Sequence, residues 1–334
     1  MIALSNEDFQ AVIAQARLAP SVHNIQPSRW RQREGVIELL GDRTRSIPIA
    51  DPASRDWRLS HGIAFEGLSI ALAHRGLGAE PELLPAEQSG GSYGPLQGIA
   101  KATIVSRAAS STPDLPVATR TSWRGRFRVV DAETEEHLDQ LAAARPDLHL
   151  VRDRAGIAST ARLGDAASLY FLRDPAHRRE LLTWMRLSRR HPQFDRDGLN
   201  ARAMHLNAVE AWGAGIVLGP LFKTLDRLRL AGPLTSEYAK TNTAAAIAVF
   251  HRPVGEDPFL SGRAFYGAWL AMETAGFKGC PMSVLVDWPE ARTALHQLAK
   301  LGSDRLIVNA FRIGQPETPT QAGHVRLPVS ELIV

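Results

Sequence analysis

Apolar side chains recur at helical spacing at Phe9, Val12, Ile13 and Ala16. Ser5 and Asp8 ahead of them are spaced as an N-cap and its partner, and Pro20 closes the segment. Residues 30–33 and 36–40 read as short strands joined by a turn at Glu34 and Gly35. A helix over about 62–74 and a strand over 102–105 follow, with Gly-, Ser- and Pro-rich stretches at 86–98 and 110–118 read as a loop and a linker. A second series then begins: a helix capped by Asp131 with an apolar stripe at Leu138, Leu141 and Ala142, and a strand at 149–151. Residues 160–190 read as helical and 191–240 as irregular, followed by a strand at 244–250, a helix and a strand at 306–313.

Two of these helices echo each other. Gly62, Ala64, Phe65, Gly67, Ala71 and Gly76 recur 200 residues later as Gly262, Ala264, Phe265, Gly267, Ala271 and Gly276. Small residues along a helix allow close packing, and a glycine after the last turn suits the left-handed conformation that ends it. A duplication explains such an ungapped pattern, so the chain reads as two related halves packed as a dimer would be. Strands and helices are mixed without strict alternation, and no glycine-rich phosphate loop follows the first strand. The predicted class is α+β rather than a doubly wound sheet.

At 334 residues and 44% hydrophobic, the chain can bury a large core. Its net charge of +4 is spread out, which favours a solvated surface over a nucleic-acid partner. One cysteine rules out an internal disulfide and a multi-cysteine metal site; Cys280 reads as a small buried apolar residue rather than a redox thiol. The eleven histidines show no ligand spacing, so no metal is expected. Neither a leader-like N-terminus nor an apolar run of membrane-spanning length is visible, so a cytoplasmic location and no membrane partner are expected.

Candidate chemistry falls in two segments, one per half. Residues 19–30 read APSVHNIQPSRW and residues 120–127 read RTSWRGRF. They resemble the APSxxNxQPW and RxSxR(x)F elements of the FMN-dependent nitroreductase family, which reach one flavin from opposite subunits of a dimer. The first half lacks RxSxR, and the second reads ARPDLH where APSxxNxQP should recur. Each half therefore keeps what the other lacks. The resemblance covers essentially the whole chain and is closest to the fused, two-copy branch that includes the Acg-type proteins. It implies a nitroreductase-like fold in two tandem copies packed as an intramolecular pseudo-dimer: residues 1–109, a linker at 110–118, and residues 119–334. The fused architecture makes a monomer possible and leaves higher assembly open.

The same resemblance implies one FMN between the halves. Arg120 and Ser122 would hold its phosphate, a group suited to guanidinium and hydroxyl partners. Arg124 would reach the N1/C2=O edge of the ring and raise its reduction potential. Pro20, Ser21 and Asn24 would face the ring or ribityl, Asn24 presenting its amide. Pro281, Met282 and Ser283 lie in the stretch GFKGCPMSV, a loop that approaches the ring in the family; Ser283-Val284 stands where some members have Glu-Gly. His324 and Arg326 sit where the family has a second basic pair for the phosphate. Residues 191–240 are placed to form a lid, an ordinary surface insertion being the alternative, and Arg186 and Arg189 are further candidate contacts. Arg312-Ile313-Gly314 resembles a strand-end motif of the family and reads as a structural turn.

The implied activity is hydride transfer from NAD(P)H through the flavin to an electron-poor acceptor such as a nitroaromatic or quinone, with no catalytic side chain required. The alternative is a protein that sequesters FMN beneath the lid. A GxSxG match at 90–94 lacks the strand and helix of a nucleophile elbow, which sets a serine hydrolase aside. Gly213, Gly215 and Gly219 lack dinucleotide-loop spacing and read as a turn or tight packing.

Overall fold

A computed structural model describes residues 2–85, 95–107, 115–320 and 323–334. The 90–94 match and most of the 110–118 linker lie outside the described residues. Helix α1 (Asn6–Ala16) starts where Ser5 Oγ accepts the Asp8 N–H at 3.1 Å, and it buries Phe9, Val12, Ile13 and Ala16. Strands β1 (Ser28–Arg33) and β2 (Val36–Asp42) form an antiparallel hairpin that turns through Glu34 and Gly35 at φ 49° and 77°. Helix α2 (Arg55–Ala73) begins earlier than the sequence suggested, and β3 (Leu77–Leu83) and β4 (Leu96–Ser106) complete an antiparallel sheet in the order β1-β2-β4-β3. β3 escaped the sequence reading because Pro81 interrupts it, which an edge strand tolerates.

The second half opens with α3 (Ala132–Ala144), capped by Asp131, and β5 (Leu148–Val151). The single helix expected over 160–190 is two, α4 (Arg154–Arg173) and α5 (Pro175–Trp184), divided where Asp174 caps the second and Pro175 opens it. The two-residue strands β6 (Met185–Arg186) and β7 (Leu199–Asn200) pair with each other.

The irregular structure expected over 191–240 is contradicted. That stretch holds α6 (Ala208–Leu218), α7 (Phe222–Arg227), α8 (Ala231–Thr235) and α9 (Tyr238–Thr241). Asn207 and Glu210 form a reciprocal capping box that starts α6. The helix carries apolar residues around most of its circumference and includes Gly213 and Gly215, so no helical stripe marks it in the sequence.

Strand β8 (Ala246–Pro253), α10 (Pro258–Thr274), β9 (Lys278–Pro281), α11 (Val284–Asp287), α12 (Pro289–Leu298) and β10 (Arg305–Gly314) follow. The second sheet runs β5-β8-β10-β9, again antiparallel, so the two sheets share one strand order.

α2 and α10 form the most extensive helix contact of the molecule, one from each half. A Cβ on Gly62 would lie 1.9 Å from the Phe259 carbonyl oxygen, and one on Gly262 would lie 2.1 Å from that of Leu59. The crossing is therefore reciprocal, at positions 200 residues apart. Phe259 of α10 is buried in the core built on α1, α2 and the first sheet. Leu59 and Ile63 of α2 are buried in the core of the second. Burial of each such side chain contributes about 1.5–3 kcal/mol, an upper estimate. Gly76 and Gly276 end the two helices at φ 68° and 84°, as the repeat predicted. The C-terminal segment returns to the first sheet: Trp30 N–H donates to Leu332 O at 2.7 Å and Val334 N–H to Trp30 O at 2.9 Å.

Candidate functional site

The halves enclose a cavity of about 780 Å³ whose wall includes all ten residues singled out in the sequence: Pro20, Ser21, Asn24, Arg120, Ser122, Arg124, Pro281, Met282, Ser283 and Arg326. Residues about 300 positions apart are thus brought to one place. The first-half wall follows α1, where Val22–Asn24 forms a 3-10 turn and His23, Asn24 and Gln26 all adopt positive φ (43°, 54° and 50°). Left-handed backbone at non-glycine residues is strained, and the surroundings hold it here. Ser21 Oγ accepts the Gln26 N–H at 2.9 Å, and Val22 N–H donates to Ser60 Oγ on α2 at 3.1 Å.

Asn24 departs from the role the resemblance implies. Its Nδ2 donates to the carbonyls of Gly198 and Val325, both at 3.2 Å, and its Oδ1 accepts from Arg326 Nη1 at 3.1 Å. Both amide hydrogens are engaged within the protein, so Asn24 locks the loop to the 198 region and the C-terminal segment rather than presenting its amide to a ligand.

On the second-half wall, residues 122 and 123 run beside β9, with Trp123 N–H donating to Gly279 O at 2.9 Å. Arg120 is 3% exposed, and its guanidinium lies 4.4 Å from the Trp269 ring centroid. Among the described residues its Nε has no hydrogen-bond partner and no carboxylate forms an ion pair with it. Glu273, which acts on it electrostatically, is already paired with Lys278. Burial lowers the Arg120 pKa, and the neighbouring Tyr266 hydroxyl and Glu273 offset only part of that. Arg326 adds a second cation: burial first, and then the charge of Arg120, push its pKa down to about 9. The Arg326 Nε donates to Arg17 O at 2.7 Å, Nη1 to Val325 O at 2.8 Å and Nη2 to Leu18 O at 2.9 Å. Most of its donors therefore tie the C-terminal segment to the end of α1, leaving its charge rather than a fork of free N–H groups. His324, also at the wall, bonds Ala118 O at 3.0 Å, and burial together with Arg326 and Arg120 lowers its pKa to about 4.

The Ser122 hydroxyl and the Arg124 guanidinium line the cavity, and neither has a hydrogen bond or ion pair among the described residues. The Arg124 charge reaches His23 across the cavity, where burial first and Arg124 second lower the imidazole pKa to about 4. Met282 is held where its N–H donates to Ala310 O at 2.7 Å, beyond the end of β9. Cys280 is buried, as expected of a small apolar residue.

Several wall residues were not anticipated. Arg312, within the strand expected over 306–313 and observed as β10, is 2% exposed. It donates to Thr241 Oγ1 at 2.9 Å, Glu237 Oε2 at 2.8 Å and the Arg124 carbonyl at 3.2 Å. His23, Arg202, His205 and Glu237 also contribute to the wall. His23 occupies a variable position of its motif, and the others come from the segment without a counterpart in the first half, so no repeat or motif pointed to them. Arg186 and Arg189 do not line the cavity. Arg186 is buried in an ion pair with Asp197 at 2.8 Å, which accounts for its burial without a ligand. No group of metal-ligating side chains suited to an ion occurs among the described residues. Nor is any helix among them long and apolar enough to cross a membrane.

The chain resembles known proteins along its length. It is 27% identical over 320 residues to "Probable NAD(P)H nitroreductase PigM" of Serratia sp., covering 88% of this chain and 84% of that protein. "Putative NAD(P)H nitroreductase Rv3131" of Mycobacterium tuberculosis is 35% identical over 79 residues, 24% of this chain and 23% of that protein. No family model matches. A crystal structure of the FMN- and NADPH-dependent nitroreductase NfnB from sphigopyxis sp. strain HMH shares 14% identity at a TM-score of 0.35, covering 65% of this chain and 96% of that one. The resemblance to a nitroreductase thus extends along most of the chain.

Proposed function

We propose that the cavity binds one FMN per chain and that the protein is an NAD(P)H-dependent flavin oxidoreductase. Two nitroreductase-like copies, residues 1–109 and 119–334 joined by 110–118, would form an intramolecular pseudo-dimer with one asymmetric site. The observation that carries this reading is Arg120, a buried cation with an orphaned Nε and no carboxylate partner, on a wall facing a loop of the other half. An anionic group is what such a site lacks, and a phosphate supplies it.

In this reading Arg120 and the free Ser122 hydroxyl bind the phosphate, and Arg326 contributes positive charge from behind. Arg124 holds its cation toward the ring edge, where positive charge favours electron uptake. Pro20 and Ser21 form one wall, kept in register by Asn24, and Pro281, Met282 and Ser283 form the other. When bound, FMN would accept hydride from NAD(P)H and deliver it to an electron-poor acceptor such as a nitroaromatic or quinone. No side chain is assigned a proton-transfer role, since solvent can protonate the product.

One observation favours a second reading. Gly198, Leu199, residues 202–205 and Glu237 contribute to the cavity wall from the segment proposed as a lid, and a closed lid would suit FMN sequestration. Anaerobic mixing of the FMN-loaded protein with NADPH and, separately, NADH distinguishes the two. Rapid loss of the visible flavin absorbance with either donor supports the oxidoreductase. An unchanged spectrum with both supports sequestration.

A further inference from the structure

The segment 207–235 carries surface that the cavity does not use. In α6 only Ala211 is buried, while Val209 and Trp212, three residues apart on one face, are 76% and 71% exposed. Leu221, Leu228 and Leu230, which flank α7 and α8, and Leu234 within α8 are exposed as well, at 45%, 62%, 47% and 57%. Such a concentration of large apolar side chains within one segment marks an interaction surface.

The charges there are unevenly matched. Glu210 accepts the Asn207 N–H within the capping box, and Asp226 is held by Arg173 at 3.0 Å. Lys223, Arg227 and Arg229 are exposed and have no carboxylate partner among the described residues. The acidic groups are thus engaged locally, and three cations remain unmatched beside the apolar face.

We propose that α6–α8 dock this protein on an anionic lipid surface. A second copy of the chain seated on the same face would bring these cations against their own kind. A lipid surface takes the indole and leucines at the boundary of its acyl region and the Lys and Arg heads at its anionic headgroups. The expectation of no membrane partner rested on the lack of a span, and docking in the plane of the surface needs none. The inference is independent of the cofactor reading. The surface adjoins the cavity, since Leu199, residues 202–205 ahead of α6 and Glu237 beyond α8 line it.

The test is co-sedimentation of the full chain with phosphatidylcholine vesicles, with and without about one-third phosphatidylglycerol, at about 0.1 M and about 0.5 M salt. The wild-type protein should pellet with the anionic vesicles only, and less at the higher salt. Replacing Lys223, Arg227 and Arg229 one at a time by Ser should weaken binding about fivefold each. Val209→Ser combined with Trp212→Ser should abolish binding at both salt concentrations, with an unchanged circular dichroism spectrum. Wild-type protein that stays in the supernatant with anionic vesicles overturns the proposal, as does equal binding to neutral vesicles. So does a dimer in sedimentation velocity that Trp212→Ser dissociates while no vesicle binding is seen.

Discussion

Gly62 and Gly262 occupy equivalent places in the crossing of α2 and α10, each pressed against a carbonyl of the other helix with no room for a methyl group. Flexible side chains could move aside, but a helix backbone cannot without separating the halves. Gly62→Ala should therefore destabilise the protein by about 2 kcal/mol or more, even though alanine is the better helix former by up to about 1 kcal/mol. Gly262→Ala should behave alike. Chemical denaturation of the two variants checks this, and wild-type stability in both would refute the close crossing.

Arg120 separates folding from binding. Its charge is buried without an ionic partner in the ligand-free chain, so Arg120→Met should leave the unfolding temperature of the ligand-free protein unchanged or higher. The same change should weaken FMN binding by about 10- to 100-fold, since charge-assisted hydrogen bonds contribute about 1.5–3 kcal/mol each. Thermal unfolding and fluorescence titration with FMN read the two effects separately. A collapse in stability with unchanged FMN affinity would contradict the assignment.

His61 sets a pH dependence. It is fully buried, with Nδ1 2.8 Å from Ser28 Oγ, and burial followed by Arg43, Arg58 and Arg29 holds its pKa at about 3, below the ordinary 6.5. Between these values the unfolded chain binds a proton that the native chain does not. Stability should therefore fall as pH drops from about 6.5 toward 3, and be unaffected by this group above that window. Unfolding measured from pH 8 to pH 5 should show the fall, and His61→Leu should make it shallower, with the remainder coming from His23 and His324, whose pKa values are also lowered by burial. An equally steep fall in the variant would assign the effect to other groups.

The Arg312–Glu237 pair anchors the helical segment to the second sheet. Glu237→Gln leaves a buried guanidinium without its counter-charge, but the glutamate side chain is 46% exposed and water screens part of the loss. A destabilisation of about 1 kcal/mol is expected, with faster proteolytic cleavage between 200 and 240. Equal cleavage rates in wild type and variant would show that the pair does not hold the segment.

Much of this architecture was legible in the chain. The cap at Ser5, the turn at Glu34-Gly35 and the repeat helices are local signals, and a glycine pattern at constant offset survives because helix crossing forbids side chains there. The two motifs likewise pointed to residues that share one cavity wall. What could not be read depends on tertiary surroundings. The β3 strand exists because β4 lies beside it, and α6 shows no stripe because its apolar residues run around most of the helix. Asn24 looked like a ligand contact until Gly198, Val325 and Arg326 were seen to use its amide. Arg312 fell inside the expected strand, but its place in the wall was hidden because its partner Glu237 lies 75 residues away in a segment without a repeat.

The central claim is that two halves build one anion-demanding cofactor site. Titration of the ligand-free protein with FMN, followed by flavin fluorescence, tests it most directly. The account predicts saturation at one FMN per chain, lost when Arg120 and Arg124 are both replaced by Ala in a protein that still folds. Saturation at two per chain, or full binding by the double variant, would contradict it.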